Sequence, residues 1–191
     1  MPPIRKVRTI HPVSINEPEE GVYLVDFGQN LSGWTRIRLN EEEGKEIVLR
    51  YGERIYEDGN LDNKELQRFI FTGETQTTRY ISDGSENQEY EPRFVYFGFQ
   101  YVEVTGISGK LKPEDIEAYM IHTDFGEVGY FECSNPLFNK IHENIKWSYL
   151  GNFHGYPEDC PHREKMAWTG DGQLVVSTGL FNYDAVTSYL K

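Results

Sequence analysis

Short segments in which apolar and polar residues alternate fill the chain up to about residue 133. They are rich in β-branched and aromatic residues, and they cover 22–25, 34–39, 46–51, 69–71, 77–81, 90–94, 99–104, 116–122 and 129–133. Alternation with a period of two predicts strands that are buried on one side. Turn residues such as Asp58-Gly59-Asn60 and Asp83-Gly84 separate the segments. Such a series of short strands is typical of an antiparallel β-sandwich.

Two connections and the N-terminus complete the predicted β region. Residues 1–20 predict a lead-in strand, and residues 26–30 predict a glycine-bearing turn between the strands at 22–25 and 34–39. We expect this turn to be held by hydrogen bonds from its own Gln and Asn side chains to the backbone rather than to contact a sugar. A long connection from residue 56 to 66 is expected to contain a helical turn near 63–68.

The period of the apolar residues changes at Ser134. The positions that recur at helical spacing are Leu137, Phe138, Ile141, Ile145 and Tyr149. With Ser134 or Asn135 as the cap and Pro136 in the first turn, this spacing predicts a helix over 135–151. A second helix is predicted from about residue 172, and 184–190 either continues it or starts a third. The chain is therefore predicted to be mainly β with C-terminal α, divided into a β-sandwich domain over 1–133 and a helical portion over 134–191.

The net charge of −12 and the pI near 4.9 restrict the partners of this chain. Neither a nucleic-acid backbone nor an anionic membrane would gain from such an acidic surface, so we expect neither as a partner. The chain has no apolar run that would span a bilayer, and its N-terminus lacks the apolar core of a secretory signal. We expect a cytoplasmic protein or a piece of a larger one.

The cysteines and histidines predict no metal or cofactor. Cys133 and Cys160 form no CxxC or zinc pattern, and we expect both to be reduced. The five histidines are scattered along the chain. We therefore predict no metal site and no cofactor.

Candidate chemistry is concentrated in residues 158–171, between the predicted helices. Pro157 and Pro161 prevent the first helix from continuing, so this segment is predicted to be a loop. Three of its carboxyl groups, Asp159, Glu164 and Asp171, surround Trp168 in the sequence, which suits a polar ring-shaped ligand such as a sugar. The alternative is a solvated acidic connector in which Arg163 pairs with Glu164 or Asp171.

The sequence of this loop resembles the signature of bacterial α-L-rhamnosidases. Asp-Cys-Pro-His-Arg-Glu at 159–164 is followed by Trp-Thr-Gly-Asp-Gly-Gln at 168–173, and further blocks in the family's order lie at 26–30, 33–34, 50–53, 91–94, 98–104 and 131–135. These enzymes are inverting glycoside hydrolases that pair a β-sandwich with an (α/α)6 barrel. The resemblance implies that the chain holds the β-sandwich and the first helices of an incomplete (α/α)6 barrel. His162 and Lys165-Met166-Ala167 depart from the residues most common in the family.

The resemblance also implies roles for the loop residues. Glu164 takes the position of the general acid, and Asp159 and Asp171 take positions that hold the sugar. We expect Arg163 and Trp168 to contribute to sugar binding, with Arg163 paired to Asp159 or Asp171 rather than to Glu164, because a close guanidinium favours an ionised carboxylate. Trp168 offers an apolar face to the ring, or alternatively anchors the loop as a hydrophobic plug.

The second carboxylate of an inverting reaction has no clear candidate in this chain. The family's general base is a Glu from a later helical segment, and Asp184 is a substitute by position alone. We therefore expect the chain to hold the acid half of a site for rhamnose-containing glycosides and not to turn over substrate by itself. Without the rest of the barrel, residues 134–191 are expected to expose apolar helix faces and to self-associate. The alternative is a non-catalytic carbohydrate-binding or structural β-sandwich module.

Overall fold

The computed structural model describes residues 1–68, 71 and 73–190 of the chain. The strands are β1 (Ile4–Ile10), β2 (Ser14–Glu19), β3 (Val22–Leu39), β4 (Glu46–Gly52), β5 (Thr77–Ile81), β6 (Gln88–Tyr90), β7 (Phe97–Thr105) and β8 (Ile116–Thr123). The α-helices are α1 (Lys64–Gln67), α2 (Pro136–Gly151), α3 (Thr169–Asn182) and α4 (Val186–Tyr189), and a 3-10 turn covers Pro113–Asp115. The predicted class, an antiparallel β-sandwich followed by C-terminal helices, is confirmed.

The chain divides into two compact units. The β unit comprises residues 8–120, and the helical unit comprises residues 1–7 together with 121–191. The predicted domain boundary after residue 133 stays a prediction.

Strand β3 is the centre of the sheet. The strand order is β1-β8-β3-β7-β4-β5, and both β2 and β6 also pair with β3. The first part of β3 pairs with β2 and β7, and its last part pairs with β8 and β6, antiparallel in each case. One long strand therefore connects the different parts of the sheet.

The predicted turn at 26–30 is wrong, because β3 runs through it. The pairing with β7 passes from Asp26 opposite Tyr101 to Leu31 opposite Phe99, so β3 has extra residues here that form a bulge. Gly28 takes φ +69°, a conformation that favours glycine, and its N–H donates to Asp26 Oδ1 at 2.6 Å. Gln29 Nε2 donates to Asn30 O at 3.0 Å, which confirms a predicted hydrogen bond from these side chains to the backbone, but it stabilises a bulge instead of a reversal of the chain.

The core of the β unit is built from residues that face inward from β3, β4 and β7. Tyr51 is fully buried, stacks on Phe97 with ring centroids 4.1 Å apart and meets Phe99 edge-on at 4.9 Å. Its hydroxyl is satisfied by Thr35 Oγ1 at 2.8 Å. Since burying one large apolar side chain contributes roughly 1.5–3 kcal/mol, this aromatic cluster is a main source of stability.

Two of the predicted strands differ from the structure, because one ends early and the other does not form. The strand predicted at 90–94 ends at Tyr90, because Pro92 has no N–H for a ladder and Phe94 takes φ +62°. Residues 129–133 form no strand, and the N–H groups of Val128 and Gly129 donate to the Asn182 carbonyl at the end of α3 instead. Of the strand predicted at 69–71, residues 69 and 70 lie outside the described residues.

Helix α2 begins where the sequence predicts. The side chain of Asn135 accepts a hydrogen bond from Leu137 N at 3.0 Å, and Pro136 occupies the first turn. This settles the choice between Ser134 and Asn135 as the cap. Helix α3 begins at Thr169, before the predicted start near residue 172, and α4 is a separate third helix.

An aromatic cluster forms the core of the helical unit. Its buried members are Phe125, Tyr149, Phe153, Tyr183 and Ala185. The rings of Tyr149 and Tyr183 stack with centroids 5.5 Å apart, and burial is the main reason that both have a raised pKa. These residues join α2, the segment after it and the end of α3 into one packed body.

The outer faces of the helices are apolar and exposed, as the sequence predicts. The large apolar side chains exposed there are Leu137, Phe138, Ile141, Ile145, Leu174, Val175, Leu180, Phe181, Val186 and Leu190. Among the described residues, no helix is long and apolar enough to cross a membrane.

Candidate active site

The candidate site lies on residues 158–168, here called the acid loop, between α2 and α3. Two hydrogen bonds close this loop: Asp159 N donates to Met166 O at 3.2 Å, and Met166 N donates to Asp159 Oδ1 at 3.1 Å. Residues 161–164 form a turn inside it. These two hydrogen bonds bring Asp159, near the start of the loop, close to Met166, near its end.

Glu164 lies at the end of this turn and is held from two sides. The Arg163 guanidinium donates to Oε1, and the indole Nε1 of Trp168 donates to Oε2 at 3.3 Å. About a third of each of the Glu164 and Arg163 side chains is exposed, at 35% and 34%. Glu164 is thus oriented by its neighbours while remaining open to a ligand.

The predicted partner of Arg163 is not the one that the structure shows. Arg163 is predicted to pair with Asp159 or Asp171, but it pairs with Glu164, as the alternative of a solvated acidic connector anticipates. Both residues lie in the same turn, which keeps the two side chains within reach of each other. In the free chain the carboxyl group of Glu164 is therefore bound by a cation.

Asp159 supplies a second carboxyl group next to Glu164. Burial by itself would raise the pKa of Asp159, but the N–H of Met166, a hydrogen bond from Glu164 and the N–H of Cys160 together lower it. Asp159 therefore keeps its negative charge to a lower pH than a free aspartate does.

Trp168 and Asp171 lie at the start of α3. Trp168 is the N-cap residue, its carbonyl accepts from Gly172 N at 2.9 Å, and its side chain is half exposed. Asp171 lies in the first helical turn, where the partial positive charge of the helix N-terminus favours a carboxylate. About half of the Trp168 side chain is therefore open to solvent.

A groove of about 520 Å³ runs between α2 and α3. Its lining includes Ile141, Ile145, Leu174, Val175, Glu158, Asp159 and Asp171. Asp159 and Asp171 therefore face one volume, which combines apolar surface with carboxylates. Glu164, Arg163 and Trp168 are not among the described residues that line this groove. The structure therefore brings these three side chains together with Asp159 but not with Asp171.

Sequence reasoning missed a buried pair of side chains at the start of the acid loop. His154 Nδ1 lies 2.7 Å from Glu158 Oε1, and the two side chains are only 2% and 0% exposed. The spacing of four residues was the available signal, but the burial of both side chains was not visible in the sequence. Lys165 lies near Glu158, and burial lowers its pKa although Glu158 acts to raise it.

Within the described part of the chain, no group of three or more His, Cys, Asp or Glu side chains is arranged to hold a metal ion. Cys133 and Cys160 are both free thiols. What the site offers is carboxyl groups, a guanidinium and an indole.

Comparison with known families identifies the class of protein. A family model described as the bacterial alpha-L-rhamnosidase concanavalin-like domain matches residues 16–122. A second, described as the bacterial alpha-L-rhamnosidase 6 hairpin glycosidase domain, matches residues 126–191. These matches define a glycoside hydrolase architecture in which a β domain precedes a helical one. The chain belongs to the bacterial α-L-rhamnosidase family, which confirms the resemblance found in its motifs.

Individual relatives agree with this family. An α-L-rhamnosidase of Formosa agariphila is 38% identical over 100% of this chain and 20% of its own length. The structure of the α-L-rhamnosidase from Dictyoglumus thermophilum superimposes with a TM-score of 0.92 at 45% identity, covering 98% of this chain and 21% of that one. The Streptomyces avermitilis α-L-rhamnosidase complexed with L-rhamnose gives a TM-score of 0.91 at 33% identity, covering 99% and 18%. The chain thus spans about a fifth of the length of these relatives.

Proposed function

We propose that this chain carries the acid side and part of the sugar subsite of an α-L-rhamnosidase. The reaction is hydrolysis of terminal, non-reducing α-L-rhamnose from glycosides, with inversion at the anomeric carbon. Family membership supports the activity, and the relative complexed with L-rhamnose supports the sugar. The single observation that carries the assignment of the acid is the geometry around Glu164, which accepts from Trp168 Nε1 at 3.3 Å and is hydrogen-bonded to the side chain of Asp159.

In this proposal Glu164 is the general acid. It protonates the glycosidic oxygen as the bond to the aglycone breaks, which is the role that one carboxyl group has in every inverting glycosidase of the standard type. Asp159, whose pKa is lowered by its hydrogen bonds, stays negative beside it. Arg163 pairs with Glu164 in the free site, and in the complex it donates to sugar hydroxyls instead.

Trp168 and Asp171 complete the proposed subsite. The exposed face of Trp168 packs against C–H groups of the sugar, including the methyl group of a 6-deoxyhexose. Asp171, on α3, and Asp159, on the acid loop, accept hydrogen bonds from ring hydroxyls. The general base is assigned to no residue of this chain: Asp184 is exposed and lies beyond the end of α3, and its N–H donates to Gly126 O at 2.9 Å.

Sugar binding by the chain itself is the first test. We expect calorimetric titration to show L-rhamnose binding that Asp159→Asn and Asp171→Asn each weaken about tenfold, since each removes a charged hydrogen-bond acceptor. Glu164→Gln should leave the affinity within about threefold, because its role is to donate a proton. Asp184→Asn is the matched control, with the same charge change outside the acid loop. Equal affinities of the Asp159→Asn and Asp184→Asn variants would contradict the subsite.

Catalysis is the second test, in a protein that joins this chain to the remainder of the helical domain. Glu164→Gln should lower kcat by a factor of about 10² to 10⁴ on alkyl rhamnosides, whose leaving group needs a proton. On nitrophenyl rhamnosides the loss should be much smaller, because nitrophenolate leaves without protonation. A loss of the same size on both substrates would show that Glu164 is not the acid.

A non-catalytic carbohydrate-binding module is the second candidate. The groove with apolar and carboxylate lining, in a chain to which no base is assigned, favours it. Rhamnose binding without any hydrolysis by the completed protein would support this candidate.

The predicted cytoplasmic location stays a prediction.

A further inference from the structure

A buried histidine, His154, and the first residue of the acid loop, Glu158, form a hydrogen-bonded pair that supports the rest of this loop. The two ring nitrogens of His154 have different partners: Nδ1 lies 2.7 Å from Glu158 Oε1, and Nε2 lies 3.1 Å from the carbonyl oxygen of Ile121. A backbone carbonyl only accepts, so Nε2 carries a hydrogen. The contact between Nδ1 and Oε1 then contains one further proton, on His154 or on Glu158, and in both arrangements the two side chains are joined by a directional hydrogen bond.

This pair is tied to rigid backbone on both sides. Ile121 lies in β8, and Thr123 of the same strand donates its N–H to Phe153 O at 2.8 Å, next to His154. Glu158 donates its own N–H to Asn152 O, also at 2.8 Å. The orientation of Glu158 is therefore fixed by the strand and by the end of α2.

Glu158 immediately precedes Asp159, and through Asp159 it reaches the proposed site. Asp159 binds Met166 with both its N–H and its carboxylate, and it contacts Glu164. A rotation of the backbone at Glu158 would therefore move the carboxylate of Asp159 and open the closure of the acid loop. Changes of about 1 Å in such groups are enough to disturb binding and catalysis.

We propose that His154 and Glu158 are positioning residues, which hold Asp159 in the orientation that the sugar subsite and Glu164 require. The expected effect on rhamnose affinity rests on the proposed function. The expected effect on the order of the acid loop does not, and it is measured without sugar.

The experiment compares Glu158→Ala, Glu158→Gln and the control Glu127→Gln in the whole chain. Glu127 pairs with Lys146 at 3.1 Å in the same helical unit, and both residues lie outside the acid loop. Amide hydrogen exchange is read at Asp159 and Met166, and L-rhamnose affinity is read by calorimetry. Glutamine keeps a hydrogen-bonding group of the same shape beside Nδ1, whereas alanine removes it.

We expect Glu158→Ala to raise exchange at Asp159 and Met166 at least tenfold and to weaken rhamnose binding about tenfold. Glu158→Gln should restore both to within about threefold of the wild type, and Glu127→Gln should change neither. Unchanged exchange at both amides in Glu158→Ala overturns the proposal. If the wild-type chain binds no rhamnose, the proposed function fails, while the exchange data still decide the positioning role.

Removing one partner of a buried pair can unfold a protein, so a second variant is included. His154→Leu with Glu158→Leu replaces both polar groups by apolar ones and is expected to stay folded by circular dichroism. Faster exchange at Asp159 and Met166 in this folded variant supports the proposal. Wild-type exchange at these amides overturns it, because loop order would then be independent of the pair.

Discussion

The acid loop places two carboxyl groups and a guanidinium within a few residues of one another. Glu164 accepts from Arg163 and from Trp168, while Asp159 accepts from Met166 and faces Glu164. Glu164 therefore has a cationic neighbour, Arg163, and an acidic neighbour, Asp159. Sugar binding that draws Arg163 away would leave Glu164 in contact with Trp168 and Asp159.

The lowered pKa of Asp159 makes a prediction for stability against pH. An unfolded aspartate titrates near about 3.9, so the ionised Asp159 stabilises the folded chain above that pH, and the stabilisation is lost as the pH falls through the lower folded value. We expect the free energy of unfolding of the wild type to exceed that of Asp159→Asn above about pH 5 and the difference to shrink below about pH 4.

Urea unfolding at several pH values measures this difference. Asp184→Asn changes the net charge equally and lies outside the acid loop, so it should show no such trend. A constant difference between the wild type and Asp159→Asn across the acid range would mean that Asp159 has no special interactions in the folded state.

At the scale of elements, β3 organises the β unit because it pairs with several strands along its length. Where β3 meets β8, Gly33 lies opposite Met120, and a Cβ on Gly33 would lie 1.8 Å from the Tyr119 carbonyl oxygen. Glycine is required here by the close approach of two backbones and not by an unusual backbone angle.

Gly33→Ala should therefore destabilise the chain by about 3 kcal/mol, since the neighbour is backbone that cannot move without breaking the ladder. Gly109→Ala is the matched control, because a Cβ on Gly109 meets nothing within 4 Å. Urea unfolding of the two variants measures the effect. A loss for Gly33→Ala no larger than that for Gly109→Ala would show that β3 and β8 separate at little cost.

At the scale of the whole molecule, the helical unit keeps a large apolar surface in contact with solvent. Leu174 is 85% exposed and Phe181 78%, although both belong to a regular helix. Exposed apolar surface of this extent favours association, and the net charge of −12 opposes it.

We expect concentration-dependent self-association through these helix faces, measured by sedimentation velocity. Leu137→Lys with Leu174→Lys should weaken association at least tenfold, because it places charges on α2 and α3. Phe94→Lys is the control, as it removes a fully exposed aromatic residue from the β unit. The surface would be wrongly assigned if both changes weakened association equally, or if added salt alone abolished it.

Much of the fold was predictable because its signals are local. The spacing of apolar residues predicts α2 almost to the residue, and alternation predicts β4, β5, β7 and β8. The failures at 26–30 and 129–133 have a common reason, because whether a segment joins a strand depends on the partner that reaches it. At 129 that partner is the end of α3, which the local pattern does not contain. At 90–94 the cause is local, since Pro92 cannot donate to a ladder and Phe94 takes φ +62°.

The sequence by itself determined the family, the position of the acid loop and the residues offered there, since these follow from residue types at fixed spacing. Only the tertiary structure decided that Arg163 pairs with Glu164, that Asp159 faces Glu164 and that His154 and Glu158 are buried together. These contacts depend on directions and burial set by distant segments such as β8. The physical reason is that spacing constrains which groups are near along the chain, whereas packing decides which of them meet and whether water reaches them.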